Sequence, residues 1–183
     1  RYGKVKWGPQ GARVRTSAAN WRKPLKWDRE AKAAGKRARV FCASLADVFE
    51  DKPDQPEMDD WRGDLFDLIN RTPHLDWLLL TKRPENVRKA WHWELMGYPP
   101  NVWIGTSVEN QEQADKRIPA LLTIPAAVRF LSMEPLLGPV DLTAVQRYTP
   151  THVGTLHISH HTTRPGSVHP HARGDILCLL RRL

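Results

Sequence analysis

Four short apolar runs punctuate the chain: "RVFCAS" at 39–44, "DWLLLT" at 76–81, "NVWIGT" at 101–106 and "VRFLSM" at 128–133. Each has the length and the β-branched or aromatic content of a strand, and near-continuous apolarity predicts cover on both faces. The stretches between them change period. In "PEMDDWRGDLFDLINR", Trp61, Leu65, Leu68 and Ile69 share one helical stripe, acidic residues suit the N-terminal end, and Thr72-Pro73 stops the pattern. "PENVRKAWHWEL" opens on proline and glutamate and sets Val87, Ala90, Trp91 and Leu95 at helical spacing. "NQEQADKRIPALL" reads as a helix that Pro119 breaks or restarts.

Strand and helix therefore alternate, which is the signature of consecutive βαβ units, an α/β fold and a parallel sheet. Such a sheet closes as a doubly wound open sheet or as a (βα) barrel. No Gly-x-Gly-x-x-Gly turn follows any of the four strands, which lowers the dinucleotide-binding reading. Four units amount to about half of an eight-unit barrel, so the body is expected to be incomplete.

Composition divides the chain at Leu142. All eight tryptophans lie at or before Trp103, six of the eight histidines lie between His152 and His171, and the text after Thr143 has no lysine, glutamate, phenylalanine or tryptophan. A body over 1–142 and a divergent, disordered tail over 143–183 are expected. The net charge of +8 looks spread out: five arginines and one aspartate in the tail supply half of it, and the first 143 residues supply the rest. Two cysteines, Cys42 and Cys178, make neither a disulfide framework nor a metal-ligand spacing. With no apolar run approaching the length of a spanning helix and no signal-peptide core at Arg1, the expectation is a soluble cytoplasmic protein.

In either closure the ligand site lies at the carboxyl ends of the strands. Ser44 and Asp47 follow the first strand; Thr81, Lys82 and Arg83 the second; Thr106, Ser107, Glu109 and Asn110 the third; Ser132 and Glu134 the fourth. Thr81 or Ser107 would serve equally as a helix cap. Lys82 and Arg83 oppose the macrodipole of a following helix, which points to an anion site, with a solvated loop as the alternative. Glu109 suits either a helix start or a site. Glu134 precedes proline and is biased towards extended geometry, where its carboxylate would meet a hydroxyl, an amine or Lys82. Gly105 reads as a close-approach position or a bulge.

The N-terminal stretch interleaves basic residues, among them Arg15, Arg22 and Lys23, with Trp21 and Trp27. Phosphate contacts and base stacking would give a nucleic-acid-binding module; tryptophans anchoring the segment to the core are the alternative. "HISHH" and "HPH" lack a surrounding core to fix metal geometry, so no metal site is expected there, and Arg173-Gly174-Asp175 carries no adhesion reading in a chain expected to be cytoplasmic.

Taken together, "RTSAANWRKPLKWDREA", "RVFCASLADVFED", "WLLLTKRPENV", "NVWIGTSVENQ" with "ADKRIPALL", and "VRFLSMEPLLGPVDL" resemble, over about residues 3–142, the middle of a phage-associated protein family. That family is similar to radical S-adenosylmethionine enzymes and carries a three-cysteine motif. The resemblance implies a partial (βα) barrel, incomplete at both ends. In complete relatives it implies a [4Fe-4S] cluster and S-adenosylmethionine at the strand ends, cysteine thiolates holding the cluster. By position it implies that Thr81, Lys82, Ser107, Glu109, Asn110, Ser132 and Glu134 face cofactor or substrate. Nothing before Trp7 matches the cysteine motif, and the text after Leu142 matches no part of the pattern. The expectation is a remnant of a truncated gene with its 3' end read out of frame, having no cofactor of its own and catalytically incompetent alone.

Overall fold

The structure is a computed structural model that describes residues 11–42, 46–91, 97–133 and 135–143, together with the backbone of two strands at 156–159 and 175–177. Its elements follow the order α1 (Ala18–Ala33), β1 (Ala38–Cys42), α2 (Glu57–Asn70), β2 (Leu75–Thr81), α3 (Glu85–Ala90), β3 (Val102–Ser107), α4 (Gln111–Leu122), β4 (Val128–Ser132), β5 (Leu156–Ser159) and β6 (Asp175–Leu177). All neighbouring strands are parallel, in the order β5-β4-β3-β2-β1-β6.

The order of β1 to β5 favours the barrel, with β6 joining on the far side of β1. A doubly wound sheet reverses its order at a switch point and carries helices on both faces; β1 to β5 never reverse. Right-handed crossovers between successive neighbours put every connecting helix on one face, as in a barrel wall. Burial follows the same division. Val40, Cys42, Leu75, Trp77, Leu79, Val102, Ile104 and Leu131 alternate onto one face and join Ala31 of α1, Leu65, Leu68 and Ile69 of α2, Val87 of α3, and Ala114, Ile118 and Leu121 of α4 in one core. The opposite face carries Phe41, Leu78, Leu80, Trp103 and Val128, each only half-buried. The chain is thus an α/β fold with a partial (βα) barrel of parallel strands.

Four details go beyond the sequence pattern or differ from it. Helix α1, in a stretch read only as a basic, tryptophan-containing segment, holds Pro24 inside it, where the lost amide hydrogen bond and ring clash cost about 3 kcal/mol. It forms nonetheless, with Ser17 as N-cap, because Pro24 and Ala31 are buried and Trp21, Leu25 and Trp27 pack against the core. Helix α4 likewise runs through Pro119 to Leu122, held by Ile118 and Leu121 on its buried side. Helix α3 ends at Ala90, where Trp91 is already extended and lays its indole on Phe66 at 3.9 Å between ring centroids; Leu95 lies outside the described residues. Beyond Leu142, where the apolar pattern predicts no sheet, Leu156–Ser159 pairs with β4 and Asp175–Leu177 with β1.

At the amino ends of the strands, Asn101 donates from Nδ2 towards the carbonyls of Ile69, Thr72 and Leu75 at 3.2 to 3.3 Å. Thr72 receives the Trp77 indole N–H at 3.0 Å. The polar groups at this end tie strand starts to the end of α2, while the barrel's ligand end is the carboxyl one.

Candidate functional site

Asp47, just past β1, is the hub of the carboxyl-end rim. Its Oδ1 accepts from the Thr81 hydroxyl at 2.7 Å and from the Phe49 amide at 3.0 Å; its Oδ2 accepts from the Lys82 amide and from Arg83 Nη1, each at 3.0 Å. One carboxylate thereby ties the β1–α2 loop to the turn after β2. Thr81 also accepts from the Arg83 amide at 2.9 Å, a local turn bond of the kind short hydroxyl side chains make. Arg83 Nη2 lies 3.7 Å from Glu50, which takes a two-pronged contact from Arg13 at 2.6 and 2.7 Å. The hydrogen bond and charge of Arg13, with the charges of Arg83 and Lys52, outweigh burial and hold the Glu50 carboxyl below its usual range.

Glu109 forms a second node. Lys82 Nζ lies 3.0 Å from its Oε1, while Arg117 Nη1 donates to its Oε2 at 2.8 Å and to the Ser107 carbonyl at 2.7 Å. Burial works against the Glu109 charge, but the Lys82 hydrogen bond and the Arg117 and Lys82 charges prevail and lower its pKa. Lys82 is 61% exposed against 12% for Glu109 and Arg117, so Lys82 is the group of this node that meets solvent. Two guanidinium or ammonium charges against one carboxylate leave the node with one net positive charge.

The alternation of strand residues divides the sequence-predicted set. Ser107 and Ser132 are register partners on the half-buried face with Gly105 and Phe130. Thr81 pairs with Thr106, whose hydroxyl donates to the Thr81 carbonyl at 2.8 Å on the helix-covered face. Asn110 is the N-cap of α4, its Oδ1 accepting from the Gln113 amide at 3.0 Å, so the capping role weighed for Ser107 falls to Asn110. Lys82 and Arg83, read as a pair, part company: one goes to Glu109, the other to Asp47 and Glu50. Ser44 and Glu134 lie outside the described residues. Gly105 is a close-approach position, but for the Phe130 ring: a Cβ there would lie 2.2 Å from Phe130 Cε2.

Glu50 and Arg117 carry no signal in the sequence, and Arg13, one of the basic residues interleaved with the N-terminal tryptophans, pairs with Glu50 at the rim instead. Each reaches the rim from an element that the pattern assigns to a loop or a helix side. Asp47 was visible at the strand end but without a role. At the N-terminus, Arg15 lies 4.3 Å over the Trp21 ring and 2.6 Å from Asp64, and Trp21 is half-buried against the core; Arg22 is exposed and Lys23 half-buried on α1.

The profile of a family described as protein of unknown function (DUF5131) matches residues 2–161. The chain belongs to this family. The matched span passes Leu142 and takes in β5, so the text at 143–161, foreign to the fold by composition, lies within it. No curated protein and no solved structure matches the chain.

The residues present do not fit a [4Fe-4S] cluster. Such a cluster takes three or four thiolates, whereas the chain has two cysteines, and Cys42 is fully buried on the helix-covered face of β1. Among the described residues no group of three His, Cys, Asp or Glu side chains is placed to hold a metal, and no helix is long and apolar enough to cross a membrane.

Proposed function

We propose that this chain is the middle barrel section of a phage-associated, radical-S-adenosylmethionine-like protein, which presents the family's ligand rim without building a cluster site from its own residues. The observation that carries this reading is the concentration of charged and hydroxyl groups at the carboxyl ends of sequentially ordered parallel strands, the position where barrel enzymes bind their ligands. On this reading the polar part of S-adenosylmethionine or of the substrate meets Lys82, Glu109, Ser107 and Ser132. A ligand carboxylate draws Lys82 from Glu109, which frees one Glu109 oxygen for an amine or hydroxyl. Thr81, Arg83 and Asn110 act from behind, holding the turn after β2 and the start of α4. Radical chemistry is assigned to no residue of this chain.

The reading is tested by anaerobic reconstitution with iron and sulfide, followed by metal analysis. The expected result is no stoichiometric iron. Four irons per chain would overturn the claim that the chain lacks a cluster site.

A further inference from the structure

Helix α1 has two unlike faces. Trp21, Leu25, Trp27 and Ala31 turn to the core, and Pro24 and Ala31 are buried. At 100° per residue, Arg22, Lys26 and Arg29 fall within an arc of about 60° on the opposite side. All three are exposed, as are Lys32 near the end of α1 and Lys36 just past it. Lys26 has one long contact, 3.6 Å to the exposed Glu30; Arg22, Arg29, Lys32 and Lys36 have no ion-pair partner among the described residues.

The charge is less evenly spread than a division at residue 143 makes it look. From 18 to 39 there are eight basic residues against two acidic ones, whereas 40–143 has ten basic against seventeen acidic. Like charges at i, i+4 and i+7 repel one another, and a polyanion laid along the helix relieves that repulsion.

We propose that the outer face of α1 binds the phosphate backbone of duplex nucleic acid through Arg22, Lys26 and Arg29, without reading base sequence. Two observations select this partner. Single-strand binding through base stacking needs exposed aromatic faces. Trp21 and Trp27 are packed towards the core, and Trp21 is further covered by Arg15. Insertion into a membrane would need the apolar side of the helix for the acyl boundary, and that side is already used within the fold. The inference is independent of the strand-end rim.

The test is fluorescence anisotropy of a mixed-sequence duplex of about 20 base pairs, titrated with the full chain across a salt series. Removing three phosphate contacts in R22Q/K26Q/R29Q should reduce the salt slope by about 2 to 3 and weaken binding at least tenfold. The control R71Q/K89Q/K116Q removes the same charge from exposed positions elsewhere and should change binding less than about twofold, beside unchanged circular dichroism for both variants. Equal losses in the two triples would overturn the proposal, since bulk charge would then suffice. So would absence of duplex binding, tighter single-strand binding abolished by Trp21→Ala, or binding confined to phosphatidylserine vesicles.

Discussion

Asp47 shows how much one side chain carries at this rim. Four donors from two loops converge on its two oxygens, and truncation would strand the Thr81 hydroxyl, two amides and one guanidinium edge at once. Asp47→Ala is expected to lower stability by about 2 to 4 kcal/mol, measured by urea unfolding, because partly buried donors lose a charged acceptor. A loss below about 0.5 kcal/mol would mean that water replaces the carboxylate and that the hub is ornamental. The two lowered carboxylates give a second expectation. Glu50 and Glu109 titrate below their unfolded range, so their contribution is fully present above an unfolded pKa of about 4.3 and is lost as pH falls from there through the folded values. Thermal midpoints should hold from neutrality to about pH 5 and then fall, less steeply in E50Q/E109Q. At this scale the sequence was a partial guide. Lys82, Ser107, Glu109 and Ser132 sit at the strand ends as expected, yet which oxygen each cation takes depends on Asp47, Glu50 and Arg117, whose meeting is a tertiary event.

Strands were more legible than helices. An apolar run bounded by polar residues marks β1 to β4 because the core face buries every second residue; the intervening one is half-covered at Phe41 of β1 and along β2, while Gly105, Ser107 and Phe130 in β3 and β4 are buried too. Pro119 does not break α4 as the pattern implies, and α1, for which no helical pattern is read, runs through Pro24; packing of Trp21, Leu25, Ile118 and Leu121 outweighs the local penalty in both. The pairing of Gly105 with Phe130 could not be read from either strand alone, since it needs the register of β3 on β4. Gly105→Ala is expected to cost about 1 to 3 kcal/mol by forcing the Phe130 ring aside. In a double-mutant cycle, Gly105→Ala in a Phe130→Ala background should cost at least about 1 kcal/mol less than alone. Strict additivity would show that the ring is not what excludes a Cβ there.

For the whole molecule, the deciding feature is sequential strand order. It places the helices on one face, leaves the other half-buried, and gathers the ends of β1 to β3 around Asp47 and Glu109. Alternation of elements in the sequence implied a parallel sheet but not its winding, because both closures share the same local pattern. The boundary at Leu142 was drawn from composition; β5 and a family match running to residue 161 lie beyond it, and a strand that short leaves little periodic signal. The proposed ligand rim would be anchored by Lys82, the exposed cation beside Glu109. Calorimetric titration with S-adenosylmethionine tests it most directly, comparing the unmodified chain with Lys82→Ala and with Lys116→Ala on the outside of α4. Saturable binding is expected, weakened about tenfold or more by Lys82→Ala, the worth of one charge-assisted hydrogen bond, and unchanged by Lys116→Ala. Absence of binding to the unmodified chain, or equal affinity in Lys82→Ala, would contradict it.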